Sequence, residues 1–352
     1  MVVPGPVPVD LAVGLWMMLR RTGRLVAKAR QRELGKYDIS DDASAVLFTV
    51  SSLGRQAIPA AISRYLFLEQ HSVSQLLTRM EKDGLIRRVR DLERRNYVRI
   101  ELTAKGRDAF RKSSRQRSTK LIMSVLAEGE QQQLWLMLIR LRDRAIKRLE
   151  LRNALLYPPS DREEVIADCG RPSNKDLPRV DPAVALWVLL GRTARLVSKL
   201  RQRELAKYGV SVDASAALFT VASLGRQAIP ATISAHLFLE RHSVSQLLTR
   251  MEKDSLIRRV KDLERRNYVR IELTTKGRDA VTRSNRQRST KPVIGVLTEE
   301  EQREMWRLLA KVRERAIKRL GYKNPPLFPP NDPDDLEAAP AVGLSVAARR
   351  SS

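Results

Sequence analysis

The run HSVSQLLTRMEKDGLIRRV that begins at His71 returns as HSVSQLLTRMEKDSLIRRV at His242. Aligned at that offset, residues 69–100 and 240–271 differ only at Gln70/Arg241, Gly84/Ser255 and Arg90/Lys261. The likeness extends upstream to LWMMLRRTGRLVAKARQRELGKY against LWVLLGRTARLVSKLRQRELAKY, and downstream to RDRAIKRLE against RERAIKRLG. A unit of about 140 residues is far larger than a solenoid repeat and long enough to bury its own core. The repeat therefore requires two like domains in one chain, expected at residues 9–150 and 182–322.

Between the copies, residues 151–181 contain paired prolines, Gly170 and mixed charges, with little periodicity outside DREEVIA. They read as a linker. A flexible coil of that length spans about 30 Å on average and up to about 100 Å when taut, so the copies can sit side by side. From residue 323 to 352 the chain is rich in proline and small residues, and a mobile tail is expected there.

Within copy 1 the apolar positions Leu15, Trp16, Leu19, Val26 and Ala29 predict a helix over about 9–34, with Arg20, Arg24, Lys28 and Arg32 falling largely between them. The matching helix of copy 2 carries a start signal, Asp181 followed by Pro182. SDDASAVLFTVSSLG predicts a second helix ended by Gly54, and IPAAISRYL a short third one opening at Pro59. After the turn FLEQ comes the repeated helix. From Ile86 the period changes to two: IRRV and YVRIEL, separated by RDLERRN, predict a hairpin with an arginine-bearing tip. A helix follows from Thr103 and another from about Glu128 to Leu149, whose twin opens on the capping-box pair Thr298 and Glu301. The fold class is mainly α with small β-hairpin wings.

On the repeated helix Val73, Leu76, Leu77 and Met80 lie at i, i+3, i+4 and i+7 and point inward. The opposite face carries Gln75, Thr78, Arg79 and Lys82, with Ser72 and Ser74 near the amino end. Gln can pair bidentately with adenine and Arg with guanine, and Ser or Thr can bond to either base. Ordinary surface helices also carry such residues, and Ser72 taken alone fits an N-cap. The order short helix, turn, this helix, basic hairpin is that of a winged helix-turn-helix.

Charge is concentrated on the same stretch. The chain holds 66 Lys and Arg against 40 Asp and Glu, a formal net charge of +26. Such an excess is compatible with a solvated basic surface or with a polyanionic partner. Residues 71–107 contain ten Lys or Arg against five acids, and residues 242–278 repeat that count. Arg94 and Arg95 at the hairpin tip fit a narrow minor groove, or equally a solvated tip.

HSVSQLLTRMEKDGLIRRVRDLERRNYVRIELTAKGRDA resembles the recognition helix, wing and following helix of MarR-type transcriptional regulators, and the flanking helices fit over about 9–150 and 181–321. The resemblance implies a dimeric winged helix-turn-helix whose first and last helices interlock. It also implies repression of promoters, relieved when a small, often aromatic effector binds between the dimerisation and DNA-binding regions. Carried over by position, the recognition helices supply Ser72, Ser74, Gln75, Thr78, Arg79 and Lys82, and Ser243, Ser245, Gln246, Thr249, Arg250 and Lys253. The wings supply Arg90, Arg94, Arg95 and Asn96, and Lys261, Arg265, Arg266 and Asn267. Many members carry arginine where Asn96 and Asn267 stand; Arg95 and Arg266, one place earlier, are the substitutes expected.

Two half-sites about one helical turn apart, roughly 34 Å, are normally read by a dimer. Fusion would supply both readers at high effective concentration, so the expectation is a monomer acting as an intramolecular pseudo-dimer on near-palindromic double-stranded DNA. The alternative is a constitutive or architectural DNA-binding protein held by charge. Divergence lies at Tyr65/His236 and at Met17-Met18 against Val188-Leu189. The aromatic residues Trp16, Tyr37, Phe48, Trp187, Tyr208 and Phe219 lie near where the family binds effectors, yet fit ordinary core positions better.

Three histidines offer no metal cluster or catalytic pair legible in the sequence, so no enzyme activity, cofactor or metal is expected. His71 and His242 are expected beside phosphate or as helix-start residues, and His236 in packing. The single cysteine, Cys169, lies in the linker, which excludes an intrachain disulfide and argues against thiol-based peroxide sensing. No apolar run approaches a membrane span, and MVVPGPVPVD lacks the features of a signal peptide, so the reading is cytoplasmic.

Overall fold

A computed structural model describes residues 10–90, 98–151, 181–261, 269–286, 288–323, 325 and 328–338. Copy 1 runs α1 (Leu11–Leu34), α2 (Asp41–Leu53), α3 (Pro59–Leu66), α4 (Gln70–Lys82), β1 (Ile86–Arg90), β2 (Val98–Leu102), α5 (Ala104–Ser113), α6 (Arg117–Met123) and α7 (Glu128–Leu149). Copy 2 repeats the order as α8 (Pro182–Ala206), α9 (Val212–Leu224), α10 (Pro230–Leu237), α11 (Arg241–Lys253), β3 (Ile257–Lys261), β4 (Val269–Leu273), α12 (Thr275–Asn285), α13 (Lys291–Ile294) and α14 (Glu299–Leu320). A short α15 (Asp335–Ala338) follows. The expected class, mainly helical with small hairpin wings, is what the chain adopts.

Helix starts follow local chemistry. Asp10 Oδ1 accepts from Val13 N at 2.9 Å, and Asp181 Oδ1 from Ala183 N at 2.9 Å. Ser40 and Ser211 cap α2 and α9. The box at Thr298 is complete: Glu301 Oε2 accepts from Thr298 N at 2.8 Å, and Thr298 Oγ1 accepts from Glu301 N at 3.2 Å. In copy 1 Ala127 has no side-chain acceptor, so only Glu130 Oε2 reaching Ala127 N at 2.9 Å remains.

Helix α6 has no cap of its own and was not legible in the sequence. Its start is held from a distance, because both Glu33 carboxylate oxygens accept at 2.9 Å from Arg117 N and Ser118 N. Glu204 repeats this on Arg288 N and Ser289 N, at 2.9 and 3.1 Å. Burial works to raise the Glu204 carboxyl, yet its hydrogen bonds with Ser289 and the charge of Arg201 hold it below the usual carboxylate range.

Contacts divide the chain into two units that do not coincide with the two copies. One, the copy-2 unit, comprises described residues within 1–21, 198–307 and 323–352; the other, the copy-1 unit, those within 22–197 and 308–322. Each unit thus combines the winged helix of one copy with helix segments of the other.

In the copy-1 unit the core joins Leu47, Val50, Ile62, Val73, Leu77, Met80, Ile86, Ile100 and Phe110. Strands β1 and β2 pair antiparallel from Ile86↔Leu102 to Arg90↔Val98, and Ile100 N donates to Ala57 O at 2.7 Å. The segment after α2 therefore closes the outer edge of the wing. Residues 308–322 also bind here: Lys28 Nζ donates to Tyr322 Oη at 2.7 Å, and Arg32 Nη1 to Leu320 O at 2.7 Å.

The copy-2 unit has the matching core of Leu218, Ile233, Val244, Leu248, Met251, Ile257 and Ile271. Its hairpin keeps the register Ile257↔Leu273 to Lys261↔Val269, with Ile271 N donating to Ala228 O at 2.7 Å. Part of the segment expected to be mobile is packed in this unit: Pro333 and Leu336 are buried, and Trp306 Nε1 donates to Pro330 O at 3.0 Å. Composition suggested no such contacts, because they are made to residues distant in sequence. The linker residues 152–180 lie outside the described residues.

Candidate nucleic-acid interface

Helix α3, a tight turn and α4 form the reading unit. Phe67 takes a left-handed φ of 54° to turn the chain, and Ser63 Oγ donates to Leu68 O at 2.6 Å to hold it. Phe238 and Ser234 repeat the arrangement, with φ 52° and a bond of 2.7 Å. A non-glycine residue in that region is strained by about 1–2 kcal/mol. Burial of both phenylalanine rings offsets it.

Helix α4 buries Val73, Leu76, Leu77 and Met80, and α11 buries Val244, Leu247, Leu248 and Met251, as their spacing requires. That leaves Ser74, Gln75, Thr78, Arg79 and Lys82 exposed on α4, and Ser245, Gln246, Thr249, Arg250 and Lys253 exposed on α11. The side chains of Gln75, Arg79 and Lys82, like those of Gln246, Arg250 and Lys253, have no hydrogen-bond or ion-pair partner among the described residues. Each helix thus carries an amide and two cations one turn apart with nothing among the described residues to satisfy their side chains.

Thr78 and Ser72 differ from that row. Thr78 Oγ1 donates to Ser74 O at 3.0 Å and accepts from Arg88 Nη2 at 3.1 Å. Ser72 is not the N-cap: the cap position is Glu69, and Ser72 lies within the first turn, its Oγ 3.3 Å from His71 Nε2. Ser243 stands 3.2 Å from His242 Nε2 in the same way.

Sequence reasoning missed Arg88 and Arg259. Arg88 reaches from β1 back to α4, donating to Glu81 Oε2 at 2.6 Å as well as to Thr78, and Arg259 makes the pair with Glu252 and Thr249 at 2.5 and 3.1 Å. The charge cluster of 71–107 contained Arg88, as that of 242–278 contained Arg259, but local spacing gives no sign of a contact with another element. On the hairpin Arg87 and Arg99 both hold Glu101, at 2.7 and 2.6 Å. Hydrogen bonds from Arg87 and Arg99 keep the Glu101 carboxyl below its usual range. Lys105 Nζ and Arg107 Nη1 donate to the backbone carbonyls of Asp83 and Leu102, at 2.8 and 2.9 Å. Of the described cations clustered by the sequence, Arg79, Lys82 and Arg90 in copy 1, and Arg250, Lys253 and Lys261 in copy 2, are exposed with no side-chain partner among the described residues. Arg94, Arg95 and Asn96, and Arg265, Arg266 and Asn267, lie outside the described residues.

Each unit has a related corner at the position where the copies diverge as Tyr65 and His236. In the copy-1 unit the Arg192 guanidinium lies 4.3 Å from the centroid of the buried Tyr65 ring, and Arg195 Nη1 donates to Leu66 O at 2.7 Å. The repeat counterparts in the copy-2 unit are Arg21 and His236. Burial, with the nearby Arg21 charge, lowers His236 to about 4. Trp16 is buried, and its indole Nε1 has no hydrogen-bond partner among the described residues. Tyr37 and Phe48, and Tyr208 in copy 2, are packed against the cores. Among the described residues no three His, Cys, Asp or Glu side chains converge as metal ligands, and no helix is long and apolar enough to cross a membrane.

Residues 37–95 match the sequence profile of the MarR family. Two solved structures of the organohalide-sensing RdhR transcriptional regulator, one with 2,4-dichlorophenol bound and one free of ligand, are each 31% identical to this chain. Each alignment covers 41% of this chain and 86% of the regulator, with TM-scores of 0.39 and 0.38. No curated protein matches the chain.

Proposed function

The chain belongs to the MarR family of DNA-binding transcriptional regulators, and on that premise we propose that it is a repressor that reads a near-palindromic operator with both recognition helices of one polypeptide. The carrying observation is the identical unpartnered row on two helices: Gln75, Arg79 and Lys82 on α4, and Gln246, Arg250 and Lys253 on α11. Identical side chains in identical local frames select identical half-sites, each bidentate contact discriminating by about 1–3 kcal/mol. Phosphate contacts from Arg90 and Lys261, and from the wing residues Arg94, Arg95, Asn96, Arg265, Arg266 and Asn267, would add affinity without base choice.

Action as an intramolecular pseudo-dimer is supported by the mixed make-up of each unit. In the copy-1 unit Thr193 Oγ1 donates to Leu138 O at 3.4 Å and Lys311 pairs with Glu130, joining side chains of copy 2 to helix α7 of copy 1. Release by a small aromatic effector is supported by the cation-bearing Arg192–Tyr65 corner, and by the 2,4-dichlorophenol complex of the RdhR regulator.

Selection of bound duplexes from a random DNA pool at physiological salt, with the mass of the complex read by light scattering, tests this reading. An inverted repeat with half-site centres about one helical turn apart, bound by a single chain, is expected. Unrelated half-sites, or two chains per site, would overturn the single-chain reading. No enriched motif would move the assignment to a non-switching, charge-driven DNA-binding protein.

A further inference from the structure

The two corners differ in one respect that the repeat does not predict. In the copy-1 unit Phe48 has Phe110 as its ring neighbour, with centroids 6.5 Å apart. The counterpart of Phe110 is Val281, so Phe219, the counterpart of Phe48, lacks that ring. Phe219 instead meets Phe328 from the C-terminal segment, at 5.5 Å. The Arg21 guanidinium stands 5.8 Å from the centroid of the same Phe328 ring.

Residues beyond Phe328 continue the contact within the copy-2 unit. Trp306 Nε1 donates to Pro330 O at 3.0 Å, Arg303 pairs with Asp334, and Leu336 is buried. The seat is specific to this side. An added Cβ at Gly14 would stand 2.6 Å from the Trp306 ring and 3.1 Å from Leu336 Cδ2, and the counterpart of Gly14 in copy 2 is Ala185. Pro329, Pro330 and Pro333 restrict the free segment and so reduce the entropy lost when it docks.

We propose that residues 328–338 are an internal strap whose Phe328 supplies the aromatic side chain missing at Val281 and occupies the Arg21–Phe219 corner of the copy-2 unit. The strap ties α1, through Gly14 and Arg21, and α14, through Arg303 and Trp306, to helix α9 of the second winged helix. The Arg21–Phe219 corner of the copy-2 unit is thus filled by the chain itself.

Hydrogen–deuterium exchange of the full chain, read on peptides covering 328–338, tests the strap. Amides there should exchange at least about tenfold more slowly than in an unstructured peptide. Phe328→Ala and Phe219→Ala should each remove that protection, and Phe48→Ala should leave it intact. Exchange at the unstructured rate in the unaltered chain would overturn the proposal, as would equal responses to Phe219→Ala and Phe48→Ala. If Phe219→Ala does not fold, the Phe328→Ala result decides, because that side chain is only half-buried and lies after the second repeat. Retained protection in Phe328→Ala would then reject the assigned role of the ring.

Discussion

Arg88 on the first wing strand donates to Thr78 on the recognition helix at 3.1 Å, and Thr78 in turn donates to Ser74 O at 3.0 Å. Both hydrogen-bonding directions of the threonine are thereby used inside the protein. The Gln75 amide and Arg79 guanidinium have no such commitment among the described residues. Replacing Arg79 and Arg250 together with alanine should therefore cost about 1–3 kcal/mol of base discrimination per half-site. Thr78→Ala with Thr249→Ala should cost less than about 1 kcal/mol. Competition binding at fixed salt, using the selected duplex and versions with one altered base pair, separates these. Equal losses from the two double variants would show that Thr78 leaves its protein partners to read DNA.

The two copies also differ where the recognition helix ends. Gly84 has a φ of 70°, and Ser255 holds the same left-handed region at φ 58°. Only glycine adopts that conformation without penalty, so copy 2 carries strain that copy 1 lacks. Ser255→Gly should raise stability by about 1 kcal/mol, and Gly84→Ser should lower it by a similar amount. Urea unfolding with unchanged m-values is the measurement; effects of the same sign from both substitutions would refute the strain account.

Glycine has a different role at the base of the wing. A Cβ on Gly106 would stand 1.9 Å from Leu85 O, and one on Gly277 would stand 2.0 Å from Leu256 O. The obstructing atom is backbone, so nothing can rotate aside. Gly106→Ala should destabilise by more than about 2 kcal/mol and speed amide exchange in β1 and β2. Gly191, inside α8, has nothing within 4 Å of an added Cβ, and Gly191→Ala should stabilise by about 0.5–1 kcal/mol. A thermal melt distinguishes the two, and a similar loss from both would mean that steric contact is not what restricts Gly106.

Much of this was legible because the signals are local. The apolar spacing of Val73, Leu76, Leu77 and Met80 places the buried side of α4, and the change to period two at Ile86 places the wing. What was not legible depends on residues far apart in sequence. Helix α6 begins where Glu33, more than eighty residues upstream, caps it. The commitment of Thr78 comes from Arg88 on another element, which makes the exposed row narrower than its composition suggests. Phe328 looked like part of a featureless tail because its partners, Arg21 and Phe219, lie in different copies.

His236 gives the chain a pH dependence that its counterpart Tyr65 cannot. Burial and the adjacent Arg21 lower its pKa to about 4, against 6.5 in an exposed histidine. Between those values the unfolded chain binds a proton that the folded chain does not. This contribution to stability is present above about pH 6.5, is lost as pH falls toward 4, and changes no further below that. With about 1.4 kcal/mol per unit of separation, the full loss is on the order of 3–4 kcal/mol. Stability of the unaltered chain and of His236→Gln should be compared between pH 7.5 and 4 by urea unfolding. The difference between them should narrow or reverse on acidification, because glutamine has no proton to gain. Parallel curves across that range would show that His236 titrates normally in the folded chain.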